Sequence, residues 1–175
     1  MRRALVWIVI SGAGGLAALT IAPPLLGAAG LEEASAVARL MLSPLCHQDP
    51  GRSLPLAGRV LGTCARCSAI HAAFFLTALA AAPRLLKLPP STRPPFPPRS
   101  WMIASLLPMA LQWGAARVAL PGAWIDGNLP RALSGALFGA GLALFIVPAV
   151  VEMAFEMGRA RRSPARQERR NVPAA

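Results

Sequence analysis

Charge is scarce in this chain of 175 residues: Asp, Glu, Lys and Arg make up 14% of it, whereas hydrophobic residues make up 55%. Mean hydropathy is +0.51. That shortage excludes an ordinary soluble globular domain. Acid is scarcer still, with 7 Asp+Glu against 18 Lys+Arg and a net charge of +11. Common catalytic signatures are missing as well. There is no glycine-rich loop followed by Lys-Ser/Thr, no His-Glu-x-x-His and no Gly-x-Ser-x-Gly. P-loop nucleotide sites, zincin proteases and nucleophile-elbow hydrolases are thereby excluded. Cysteine and histidine are few, three and two, and all five fall between Cys46 and His71. Thiol and metal chemistry is confined to one stretch.

What is present is apolar length. Four runs predict an all-α integral membrane protein, a four-helix membrane domain over residues 1–158 with spans at about 4–29, 67–86, 101–120 and 132–155. About 20 apolar residues at a 1.5 Å rise cross the ~30 Å hydrocarbon core. The first run follows Arg2 and Arg3, as a signal peptide would, but a signal peptide's apolar region is only about 7–15 residues. It is read as a span, with cleavage of residues 1–30 as the alternative. Pro23-Pro24 should kink or end that helix. Residues 31–39 read as a short helix on the membrane surface. The stretch 88–100 holds six prolines and reads as a stiff, extended cytoplasmic link. A turn is expected over 121–130, with Trp124, Asp126 and Asn128. Gly135 and Gly139 make a small-xxx-small face suited to close helix contact and to a homo-oligomer. Residues 159–175 read as a basic, disordered tail. Trp7, Trp101 and Trp124 are expected at membrane interfaces, and Trp113 between helices.

Lysine and arginine are unevenly shared among the connections. The N-terminus, the second loop and the tail hold twelve of them; the first and third loops with their helix ends hold six. By the positive-inside rule this predicts a multi-pass protein of the cell membrane, with both termini cytoplasmic and the Cys/His loop on the outer face. Membrane topology accounts for the basic excess, so a nucleic-acid partner is not expected; the tail would rest on anionic lipid headgroups.

Cys64 and Cys67 form a Cys-x-x-Cys pair at the mouth of the second span. That spacing offers two thiolates to a soft metal, or a reversible disulfide. Cys46 and His47 lie 18 and 17 residues earlier, across a loop with Pro50, Gly51, Pro55, Gly58 and Gly62 that can fold back. Three sulfurs and one imidazole would suit Zn2+. His71, four residues after Cys67, shares its helical face. Cys46 and His47, as neighbours in extended chain, point to opposite sides. Geometry therefore favours His71 as the fourth ligand.

Cys46-His47-Gln48, Arg52-Ser53 and Cys64-Ala65-Arg66-Cys67 together resemble the signature of the DUF2085 family, small prokaryotic membrane proteins. Members read Cys-His-Gln, Arg-Ser, and Cys-Ala-Arg-Cys followed by Thr-Gly-Ile-Tyr. Asn128, Arg131, Ser134 and Gly135 resemble the family's later Asn, Arg and Ser/Thr-Gly cluster. The resemblance covers roughly residues 40–150 and implies the membrane fold and the place of the site, with no reaction attached. Two positions depart from it. Ser68-Ala69-Ile70-His71 puts a histidine where the family has tyrosine, which moves the fourth-ligand role back toward His47 or solvent. Gln112-Trp113 stands where an Asp-Gly pair is common.

Three functions follow as expectations. The first is a Zn2+ site on Cys46, His47, Cys64 and Cys67, with His71 as the alternative ligand, serving structure or regulation. Gln48, Arg52, Ser53, Arg66, Asn128 and Arg131 would support it, Arg52 and Arg66 by stabilising thiolates or by hydrogen-bonding neighbouring carbonyls. The second is a thiol–disulfide protein using Cys64 and Cys67, the one enzymatic reading available. The third is a small-solute transporter or assembly partner built on Gln112, Arg117 and Arg131 at membrane depth.

Overall fold

In lipid every backbone N–H and C=O must find its partner within the chain, and the apolar runs meet that requirement as α-helices. The structure, a computed structural model, describes residues 2–89, 92, 94–118 and 127–170, without the side chains of 2, 99, 116, 117 and 158–170. The helices are α1 (Arg2–Ala28), α2 (Glu32–Leu42), α3 (Ala65–Lys87), α4 (Arg99–Arg117) and α5 (Asn128–Arg170). Between α2 and α3 lie a 3-10 turn, Pro50–Arg52, and a small antiparallel hairpin of β1 (Pro55–Leu56) and β2 (Arg59–Val60). Its turn places Ala57 at φ 50 and Gly58 at φ 72, the two left-handed residues that a tight hairpin twist requires.

Helix directions follow from which residues meet. Gly135 and Gly139 of α5 lie against Arg66 and Ile70 of α3, so these two helices run parallel. Gly14 of α1 faces Phe75 of α3, and Thr20 accepts a hydrogen bond from Gly62 just before α3 begins, so α1 runs the other way. Ser105 meets Gly141 while Gln112 bonds Ser134, so α4 also opposes α5. The contact between α3 and α5 is the most extensive. A β-carbon on Gly135 would overlap the Arg66 carbonyl oxygen, and one on Gly139 that of Ile70. The close helix contact expected of this glycine face is made with α3.

Away from the Cys/His segment the helices share a core of Val6, Ile10, Ala78, Ala82, Leu85, Ala143, Val147 and Val151. Large apolar side chains elsewhere point outward, among them Ile8, Leu76, Ile103, Leu111 and Leu133. So much exposed hydrocarbon is untenable in water and normal against lipid. Arg3–Ala28, Ala65–Lys87 and Asn128–Met157 are each long and apolar enough to cross a membrane. Helix α4, expected as a span over 101–120, ends at Arg117 and falls outside that set, because Arg99, Ser105, Pro108, Gln112 and Arg117 dilute its 19 residues.

Three further expectations meet a different outcome. Of the kink or end expected at Pro23-Pro24, the end does not occur: α1 runs through both prolines to Ala28. Pro24 has no N–H for the Thr20 carbonyl, and that oxygen takes the Gly62 N–H instead, at 2.8 Å; Ser35 Oγ donates to Pro23 O at 2.8 Å. Both prolines are fully buried, and a helix tolerates proline when its freed carbonyl is answered from elsewhere. The basic tail is helical as far as Arg170, since Ala, Arg, Gln and Glu are strong helix formers and extending a helix needs no new nucleus. Trp113 is 55% exposed and faces outward. The turn with Trp124 and Asp126, the Arg117 side chain and residues 171–175 lie outside the described parts.

Candidate metal centre

The site is assembled by fastening the segment between α2 and α3 to its surroundings. Leu42, fully buried at the end of α2, accepts backbone hydrogen bonds from Leu45 and Cys46, which winds the chain up at Cys46. Gln48 then adopts a left-handed φ of 54, and its side-chain amide donates to the Arg39 carbonyl at 2.6 Å. Arg39 in turn donates to Val60 O at 2.9 Å. Arg59 reaches Glu32 through two contacts, 2.6 and 3.0 Å, and its guanidinium lies over Gly27, where a β-carbon would collide. Gly62 fits between Leu42 and Pro23 for the same reason. Each link shortens the conformational freedom of the loop, and together they bring Cys46 back to the start of α3.

There the sulfurs meet. The Sγ atoms of Cys46, Cys64 and Cys67 all lie within 4.8 Å of one another, and each cysteine is half-exposed. Cys46 Sγ accepts backbone N–H bonds from Cys64 at 3.2 Å and from Gln48 at 3.4 Å, the donor pattern that steadies a thiolate. Cys64 is the N-cap of α3, and its side chain makes no capping bond. Its thiol is lowered to about 5, first by the Cys67 side-chain hydrogen bond, against the upward push of burial, and further by the Cys67 backbone N–H. A thiolate at a helix N-terminus also gains from the helix dipole.

Neither histidine joins the sulfurs. The group whose ligand atoms all lie within 4.8 Å contains the three cysteines alone, among the described residues. His47 is exposed. His71 is half-buried one turn deeper in α3, and its Nδ1 is buried without a hydrogen-bond partner among the described residues.

The supporting residues divide. Asp49 caps the 3-10 turn by accepting from Gly51 N, and Arg52 ion-pairs with it at 3.1 Å on the surface. Arg52 therefore answers a carboxylate, where the sequence leads one to expect thiolates or neighbouring carbonyls. Ser53 is buried, donates to Asp49 O at 2.8 Å, and accepts from Asn128 Nδ2 at 3.3 Å, which ties the loop to the first turn of α5. Arg66 sits between Cys64 and Cys67 in sequence, yet its guanidinium donates to Gln112 Oε1 at 2.9 Å. Ser134 donates to the same oxygen at 2.8 Å. Arg131 is buried beside it and offers its carbonyl to Ser134. Gln112 is thus the junction of α3, α4 and α5. Its role was visible in sequence only as a polar residue at membrane depth; the partner lies 46 residues away.

The family model described as a predicted membrane protein (DUF2085) matches residues 46–145. The chain belongs to the DUF2085 family. The match begins at Cys46 itself and takes in all three sulfurs, Gln112, Asn128, Arg131 and Ser134. Helices α1 and α2, which hold the loop in this DUF2085 protein, precede the matched segment. No curated protein and no solved structure matches the chain.

Proposed function

We propose that this DUF2085 protein holds a soft divalent metal, zinc before others, on Cys46, Cys64 and Cys67, and that the metal locks the loop to the head of α3. The observation that carries this is the convergence of three sulfurs within 4.8 Å. Three thiolates would repel one another, and a divalent cation relieves that repulsion. The backbone N–H bonds onto Cys46 and the lowered Cys64 thiol favour deprotonation of those two ligands, as a metal needs. Thiolate sets select zinc and related soft ions over calcium or magnesium. His47 and His71, the fourth ligands expected from sequence, lie outside the sulfur group, so the reading stands on the three cysteines.

The alternating helix directions support a fourth span in α4, and the lysine and arginine asymmetry supports a cell-membrane protein with cytoplasmic termini and an outer-face site. The basic stretch after Met157 would then lie against anionic headgroups. Metal analysis of the full chain in detergent tests the central reading. Near-stoichiometric zinc is expected in the native protein, and almost none in a Cys64→Ser/Cys67→Ser variant of unchanged helicity. Equal metal in both would contradict it.

A second reading is favoured by one observation, the Cys64 thiol held to about 5 beside the Cys67 sulfur. Such a pair is the nucleophile and its partner in thiol–disulfide exchange. Thiol trapping separates the two readings. Three alkylatable thiols after both oxidation and reduction would exclude exchange.

A further inference from the structure

We infer that the fourth position on the metal is filled from outside the chain, by a thiolate. The inference rests on the metal reading above and concerns what completes the site. A zinc-type ion takes four ligands, and a closed structural site supplies all four from the protein. Here the ligand group holds three sulfurs and neither imidazole, among the described residues.

Three side-chain oxygen donors nearby in sequence are engaged elsewhere. The Asp49 carboxylate serves Gly51 and Arg52, Ser53 Oγ serves the Asp49 carbonyl, and Thr63 Oγ1 is paired with Ser68 in a buried contact. All three cysteines are half-exposed, so the cluster is reachable from water. A metal made soft by three sulfurs prefers a further soft donor to a carboxylate or an amide. The step is simple to balance. The incoming thiol forms a metal–sulfur bond, gives its proton to solvent and displaces the water that held the position, with no electron transferred. The open position makes the centre a docking point for thiols, whether a small-molecule thiol or a cysteine side chain of another protein.

The probe is the full chain in detergent, stripped and loaded with Co2+ in thiol-free buffer. Titration with 2-mercaptoethanol should raise the sulfur-to-cobalt charge-transfer absorption saturably, by about one third as three sulfurs become four. His47→Ala and His71→Ala should leave both the starting spectrum and the titration unchanged. A cysteine-containing peptide titrated in parallel identifies the source by which thiol saturates at the lower concentration. An absorption unmoved by thiol, cobalt released from the protein by thiol, or ligand-field bands altered by either histidine substitution would overturn the inference. Cobalt binding that survives Cys64→Ser/Cys67→Ser would instead overturn the metal reading beneath it.

Discussion

Where α3 leaves the Cys/His segment it is held by backbone contacts and polar bonds. Where it approaches Lys87 it is held by alanines, valines and a leucine. At the first end Gly135 and Gly139 bring α5 onto the Arg66 and Ile70 carbonyls, and Gln112 joins Arg66 to Ser134. At the other end Ala78, Ala82 and Leu85 pack on Val6, Ile10, Val147 and Val151. In a membrane the second kind of contact is weakly specific, since lipid chains are as apolar as valine. Close glycine approach and interhelical hydrogen bonds have geometry, so they fix register. The end that carries the sulfurs is the end whose register is fixed.

Substitutions at the two ends should separate accordingly. Gly139→Leu should have the largest effect, because its side chain meets backbone and not a movable side-chain tip. A loss of about 3 kcal/mol is expected from such overpacking, read as a marked fall in melting temperature in detergent together with loss of bound metal. Val151→Ala, in the apolar end, should cost about 1 kcal/mol and leave metal content intact. Similar metal loss in both variants would erase the distinction between the ends. Gln112→Leu should be milder than Gly139→Leu, about 1 kcal/mol for interhelical polar bonds in a bilayer. It should weaken metal retention against a chelator without abolishing stoichiometric loading, since Gln112 holds Arg66 and not a sulfur. Complete loss of metal in that variant would place Gln112 in the site proper.

Much of the fold is written locally. Apolar length gives the helices, and the Gly/Pro-rich loop between Cys46 and Cys64 is what lets those residues approach. The rest depends on partners that no local pattern names. Pro23-Pro24 reads as a helix kink or end because proline removes a backbone donor, yet the donor for Thr20 O is supplied by Gly62, far along the chain. Gly135-x-x-x-Gly139 announces a close contact without saying with which helix, and the contact is with α3. Arg66, between two cysteines, reads as a partner for thiolates; its guanidinium turns to Gln112 in α4. His71 shares a helical face with Cys67, but one helical turn is about 5.4 Å of rise, and it stays outside the sulfur group.

The metal centre requires three sulfurs on one ion. Zinc-edge X-ray absorption on the purified full chain in thiol-free buffer counts them directly. The account predicts three sulfur neighbours at about 2.3 Å with a single light atom beside them. A shell of oxygen and nitrogen with no sulfur, or one sulfur at most, would contradict it.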